Sequence, residues 1–271
     1  PHLKEKIGLF CNLPADHVIA GVDVQHVYEC PLVYDAEGIP EILAKRLNIY
    51  APPKLDQWSK LVESLKRNSV TPRKVLTVAI CGKYMALEDS YASVVESIRH
   101  ASAHLDLRSD IRWVDTEKVE NGDISVETAL KGVDAVIVPG GFGSRGIEGK
   151  IQVIQYVREN KIPFLGICYG MQLSVVEFAR HVCGMLGAGT IEMESEIHHV
   201  EVPVIAYLPG QEKIKDMGAT MRLGGHDVLI KDGTRASEIY GSSVIRERFR
   251  HRYEVNPQFV SQIEAGDPTG V

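Results

Sequence analysis

From residue 73 onward the chain switches repeatedly between two hydrophobic periods. Residues 75–81 form an almost unbroken apolar run, the mark of a strand buried on both faces. Residues 90–105 instead place Val94, Val95, Ile98, Ala101 and Leu105 on one face of a 3.6-residue period, which predicts a helix. The pattern continues as strand 111–114, short helix 125–130, strand 133–138, helix 147–159, strand 162–168 and helix 171–181. Such alternation predicts an α/β fold, a mostly parallel sheet with helices on both faces. Ligands of such sheets sit off the carboxyl ends of the strands. Beyond Thr190 the pattern is richer in strands and loops. Before residue 73 it is different: short apolar runs at 18–20 and 24–28 precede an amphipathic patch at 39–47. Pro52 and Pro53 then break the pattern. Residues 55–65 predict a helix whose stripe is Leu55, Trp58, Leu61, Val62 and Leu65, and residues 68–72 read as a linker.

Two of the predicted strands end in groups that carry chemistry. The run Pro163-Phe164-Leu165-Gly166-Ile167-Cys168-Tyr169-Gly170-Met171-Gln172 places one cysteine between two glycines at a strand-to-helix turn. That is the layout of a nucleophile elbow with sulfur in place of a serine oxygen. Its glycines allow a tight turn, and the following helix N-terminus is expected to lower the thiol's pKa. The bland alternative is a structural cysteine at a strand end. Upstream, Asp134 to Gly143 is another apolar strand that runs into Pro139-Gly140-Gly141-Phe142-Gly143. One βαβ unit brings neighbouring parallel strand ends together, so a Gly-Gly backbone N–H and that of Tyr169 can form an oxyanion hole.

Composition narrows the function class. A net charge of −6 and a pI near 6.0 leave no electrostatic footprint for nucleic acid. The basic run at 246–252 is interleaved with acid and reads as a solvated face or an anionic small-ligand contact. The five cysteines at 11, 30, 81, 168 and 183 form neither a disulfide framework nor a zinc-ligand pattern, so no metal site is expected and a reducing, cytoplasmic setting is. No signal peptide or membrane-length apolar run occurs in the sequence. The length suits one large or two ordinary domains.

Pro-Gly-Gly-Phe-Gly followed by Gly-Ile-Cys-Tyr-Gly-Met-Gln resembles the class I (triad) glutamine amidotransferases. Further segments resemble the CTP synthase family within them. These are Met217-Gly218-Ala219-Thr220-Met221-Arg222-Leu223-Gly224, Arg250-His251-Arg252-Tyr253-Glu254-Val255-Asn256, Gly82-Lys83-Tyr84 and Asp89-Ser90-Tyr91-Ala92-Ser93-Val94. Lys4 to Asn12 resembles the closing part of that family's synthetase domain. The resemblance implies three segments: residues 1–55 as the end of an ATP-dependent amidoligase domain, 56–72 as helix and linker, and 73–271 as a flavodoxin-like amidotransferase domain lacking its C-terminal end.

For the intact enzyme the resemblance implies amination of UTP to CTP with ammonia from L-glutamine, ATP and Mg²⁺ at the synthetase domain, GTP as activator, and a homotetramer. This piece is then expected to be a monomer. Cys168 is the implied nucleophile. Gly141, Tyr169, Gly170, Met171, Gln172, Glu192 and Arg252 are the implied oxyanion and glutamine contacts, with Glu192 on the α-amino group and Arg252 on the α-carboxylate. Lys6, Phe10 and Asp23 match nucleotide-contacting positions. Their bland alternatives are a solvated lysine, a core phenylalanine and a turn aspartate; for Glu192 it is an exposed loop acid, and for Arg252 a surface pair with Glu247 or Glu254. His198 and His199, expected on opposite faces of a strand, match no base of the family.

The family completes its triad with a His-Pro-Glu segment that does not occur in these 271 residues. A phosphate-binding loop is missing as well, so the sequence reads as truncated at both ends. Ala219 stands where the resembling lid segment has glycine. Two other readings stay open: a stand-alone glutamine or γ-glutamyl hydrolase, and an inert assembly module.

Overall fold

The computed structural model describes residues 2–49, 51–83, 88–141, 145–193, 199–208 and 221–266. Contacts divide the chain into two compact units, Pro1–Leu76 with Ser93–Asp110, and Thr77–Ala92 with Ile111–Val271.

The first unit is helical. It holds α1 (His2–Cys11), α2 (Cys30–Ala36), α3 (Ile39–Leu47), α4 (Asp56–Val70) and nearly all of α5 (Ala92–His104). The patch at 39–47 is α3, entered from Gly38 at φ +81° with Pro40 in its first turn and closed by Asn48 in the left-handed region. The helix expected at 55–65 runs on to Val70, so most of the expected linker is helical. The extension is held by its polar face, where Arg67 reaches the Asp106 carboxylate; just before it, the Ser64 hydroxyl donates to the Ala103 carbonyl at 2.6 Å. Helix α4 is also tied back toward α2, since Trp58 Nε1 donates to the Tyr28 carbonyl at 2.7 Å. Helices α1 and α2 were not expected, because their apolar positions are exposed or half-buried and carry little periodic signal.

The second unit carries the expected alternation. Strand β1 (Val75–Gly82) is followed, after α5, by β2 (Arg108–Asp115), α6 (Thr116–Glu120), α7 (Val126–Ala129) and β3 (Ala135–Val138). Then come α8 (Ile147–Glu159), β4 (Phe164–Gly166) and α9 (Tyr169–His181). The sheet order is β2-β1-β3-β4, with β1 parallel to β3 and β3 parallel to β4. Short helix α6 escaped the periodic pattern; its local signal is Asp115, whose side chain caps the Glu117 N–H at 3.0 Å. A 3₁₀ turn at Glu88–Tyr91 precedes α5.

The core is formed by Ala79, Cys81, Val136 and Val138 of the sheet against Ile147, Ile151, Ile154 and Val157 of α8 and Leu173, Val176 and Ala179 of α9. Helix α8 also lies close on α6: a Cβ at Gly149 would sit 1.9 Å from the Thr116 carbonyl oxygen, so only glycine fits there. Between α8 and α9, the buried Glu177 carboxylate accepts Nη2 of Arg158 at 2.8 Å and faces His181 Nδ1 at 3.1 Å.

Past α9 the structure turns to strands, as expected. Strand β5 (Ala188–Thr190) pairs in parallel with β6 (Val202–Tyr207), which pairs antiparallel with β9 (Tyr253–Val255). Strands β7 (Arg222–Leu229) and β8 (Val244–His251) form an antiparallel pair that spans α10 (Arg235–Tyr240), and α11 (Val260–Gly266) closes the described chain. His199 precedes β6 instead of sitting within a strand, and His198 is outside the described residues.

Candidate active site

Cys168 is the N-cap of α9 and adopts φ 54°, ψ −106°, a conformation that costs a side-chain-bearing residue energy. The surrounding backbone enforces it. Ile167 N–H donates to the Val138 carbonyl at 2.9 Å, Gly170 N–H to the Ile167 carbonyl at 3.0 Å and Gln172 N–H to the Cys168 carbonyl at 3.1 Å. Gly170 lets α9 start directly over β3, where an added Cβ would sit 2.0 Å from the Val138 oxygen. The strand expected at 162–168 therefore stops at Gly166, and the helix starts at Tyr169, two residues earlier than the periodicity indicated.

The parallel register Val138↔Gly166 brings the end of β3 alongside this elbow. A Cβ on Gly140 would lie 3.3 Å from Cys168 Cβ and 3.8 Å from its Sγ. The glycine loop thus borders the sulfur without an intervening side chain, and Gly141 follows it, half-buried. Phe142 and Gly143 are outside the described residues.

The thiol's pKa is raised, against the expected depression. Burial of the sulfur's surroundings is the largest cause, although the residue itself is exposed at the site mouth. The Tyr169 N–H bonds the sulfur and pulls the value down, as does Arg250, while the Glu192 carboxylate pushes it up. One helix terminus is outweighed here by desolvation and a nearby acid.

Glu192 occupies a 3₁₀ turn, Ile191–Met193, directly after β5. Its field reaches Cys168, Lys150, Tyr169 and Tyr253, which places it at the centre of the constellation. It is half-buried. Gln172 is buried and its Nε2 donates to the Tyr253 carbonyl at 2.9 Å, joining α9 to β9. Arg252, the residue before β9, is 5 % exposed and therefore buried, not on the surface. Its carbonyl accepts the Leu208 N–H and its charge lowers the Tyr253 phenol's pKa against the raising effect of burial. Met171 is exposed beside the elbow.

Lys6, Phe10 and Asp23 belong to the first unit and are all exposed, so Phe10 is not a core residue. Of the segment at 217–224, residues 217–220, including Ala219, are outside the described residues; Gly224 has φ +86° within β7.

Lys150 and Arg250 are charged neighbours that the sequence reading passed over. Lys150 is only 2 % exposed, with Nζ 5.4 Å from the centroid of the Tyr169 ring. The signal was present in the pattern, since Lys150 falls between Ile147 and Ile154 on the apolar face of α8. His251 Nδ1 lies 2.9 Å from the Tyr253 carbonyl, and its Nε2 is buried with no hydrogen-bond partner among the described residues.

Residues 86–266 match the family model of glutamine amidotransferase class-I. The chain belongs to this family. Residues 1–49 of this amidotransferase match a second family model, CTP synthase N-terminus. The chain is 49 % identical over 258 residues to a CTP synthase of Borreliella burgdorferi, covering 95 % of this chain and 47 % of the relative. It is 44 % identical over 265 residues to a CTP synthase of Archaeoglobus fulgidus, covering 98 % and 48 % respectively. The chain therefore spans about half the length of these curated relatives. Among solved structures, the Trypanosoma brucei CTPS glutaminase domain with bound acivicin superposes with a TM-score of 0.63 at 36 % identity, covering 72 % of this chain and 77 % of that one.

Proposed function

We propose that this chain is part of a glutamine-dependent CTP synthase and carries the nucleophile of its glutaminase half. The observation that carries the reading is the strained Cys168 elbow, with the Tyr169 N–H on its sulfur and Gly140 beside it. In this reading Cys168, as thiolate, attacks the side-chain carbonyl carbon of glutamine. The N–H groups of Gly141 and Tyr169 receive the oxyanion. Collapse expels ammonia and leaves a γ-glutamyl thioester, which water cleaves to glutamate and free thiol. Glu192 faces the substrate's α-ammonium, Arg252 its carboxylate, and Gly170, Met171 and Gln172 shape the floor.

The ammonia then aminates UTP in the synthetase half, where ATP and Mg²⁺ act and GTP stimulates the glutaminase step. Lys6, Phe10 and Asp23 are the nucleotide-facing candidates on this chain. Among the described residues no cluster of three or more His, Cys, Asp or Glu could hold a metal ion. The match of residues 1–49 to a synthetase N-terminus favours this reading over a stand-alone hydrolase. No described helix is long and apolar enough to cross a membrane, and the proposed setting is the cytoplasm, with a homotetrameric intact enzyme.

The test is a comparison of nitrogen donors. In the full-length parent, Cys168→Ala should abolish CTP formation from glutamine and preserve that from ammonium chloride. Retained glutamine use would remove Cys168 from the chemistry.

A further inference from the structure

The two residues proposed to supply oxyanion N–H groups share one buried neighbour that no part of the mechanism has used. The Lys150 ammonium lies 5.4 Å from the Tyr169 ring centroid, and 3.9 Å from where a Cβ on Gly141 would be. It thus borders both residues of the proposed oxyanion hole, on the inner face of α8, and at 2 % exposure it is sealed from solvent. We infer that Lys150 is a positioning residue: its buried charge fixes the electrostatic field at the hole, so that negative charge developing on the substrate's carbonyl oxygen meets a positive interior. The inference rests on the reading of Cys168 as a glutaminase nucleophile.

Two observations and one physical principle support it. A buried cation costs stability, and packing alone does not require one at a position flanked by Ile147, Ile151 and Ile154. Burial and the nearby Lys83 lower its pKa to about 8, while Glu192 raises it, so the ammonium form prevails at neutral pH. A preorganised charge in a low-dielectric site acts more strongly than the same charge in water and needs no reorganisation during the reaction. The groups that act on Lys150 are Lys83 at the end of β1, Glu192 after β5 and the Tyr169 ring on α9. Of these, Glu192 is the acid whose field raises the Lys150 pKa.

The experiment uses the full-length enzyme with glutamine and with ammonium chloride as nitrogen donors. Lys150→Met should lower kcat with glutamine about ten- to a hundredfold, less than loss of a direct oxyanion donor, with KM for glutamine changed by no more than about threefold and ammonia-dependent CTP formation intact. Lys150→Arg keeps the charge but cannot lose its proton, so it should retain kcat and abolish the alkaline fall of the parent's glutamine profile near pH 8. An unchanged kcat in Lys150→Met, or equal losses with both donors, would overturn the inference. So would a Lys150→Arg profile identical to the parent's, which decides the matter even if the methionine variant fails to fold. Glutamine hydrolysis surviving in Cys168→Ala would instead defeat the underlying glutaminase reading.

Discussion

Lys150 ties stability to activity in opposite directions. Its folded pKa of about 8 lies below the ordinary 10.5, so between these values the unfolded chain binds more protons than the folded one. Stability from this group therefore rises with pH across that window, and below about pH 8 the folded state bears the full cost of the buried ammonium. Lys150→Met should accordingly stabilise the protein at neutral pH, by roughly 1–3 kcal/mol, while slowing glutamine hydrolysis. Urea melts at pH 7 and pH 10 check this; a variant less stable than the parent at pH 7 would mean that the lysine is there to hold the fold. Cys168 makes a second residue-scale prediction. Because burial raises its thiol, alkylation by iodoacetamide should still be accelerating as pH passes the ordinary thiol range, with no plateau below pH 8. Cys81, wholly buried and pushed to about 12, should stay unlabelled. A glutamine-analogue alkylator should nevertheless select Cys168, and peptide mapping that found Cys11, Cys30 or Cys183 modified first would contradict the assignment. Arg252→Ala, in the full-length parent, should weaken glutamine use far more than ammonia use, since ammonia bypasses a carboxylate anchor; equal losses measured in steady state would mark this 5 %-exposed arginine as structural. What the sequence showed at this scale was chemical identity, namely Cys168 between its glycines. What it hid was the balance of fields: no pattern of letters reveals that desolvation and Glu192 outweigh one helix terminus.

At the scale of elements, the elbow is held by contacts between helices as much as by the sheet. Glu177 of α9 is sealed between Arg158 of α8 and its own His181, and the guanidinium is bonded to it through both Nε and Nη2. Arg158→Ala would leave that carboxylate buried without its main counter-charge, at a cost of about 3–5 kcal/mol, whereas Glu177→Gln should cost clearly less. Chemical denaturation of both variants decides the order, and a reversed order would mean that the pair is screened by solvent at its Arg158 end. The elements that the sequence made legible were those with one dominant face. Helix α8 has the ends that its periodicity predicts because Ile147, Ile151, Ile154 and Val157 repeat without interruption. Helix α4 runs past its expected end because its last turn, Arg67 to Val70, is held by the polar bond of Arg67 to Asp106, not by an apolar stripe. The βαβ pairing of β3 with β4, which sets Gly140 against Cys168, followed from spacing alone.

For the molecule as a whole, the question is how much of an amidotransferase these residues constitute. The elbow, the glycine loop, Glu192 and the buried Lys150 are assembled within one unit of the fold. The sequence contains no His-Pro-Glu segment, and the chain spans 47 % of its Borreliella burgdorferi relative. Attack on the amide needs a group that takes the thiol proton and passes one to the leaving ammonia; a raised Cys168 pKa sharpens that need, because little thiolate forms unaided. The 271-residue chain by itself should therefore release glutamate from glutamine about 10²–10⁴-fold more slowly than an intact enzyme of this family, and should form no CTP. The measurement is glutamate release by the purified chain against its Cys168→Ala variant. Within the described residues His251 is a candidate substitute base on the strength of its tautomer. Its Nδ1 is engaged by the Tyr253 carbonyl, which leaves the buried Nε2 with a lone pair and no hydrogen-bond partner among those residues. Turnover near the intact rate would overturn the expectation, and His251→Ala would then show where the proton goes: a collapse to the Cys168→Ala background would make His251 the base, and retained turnover would exclude it.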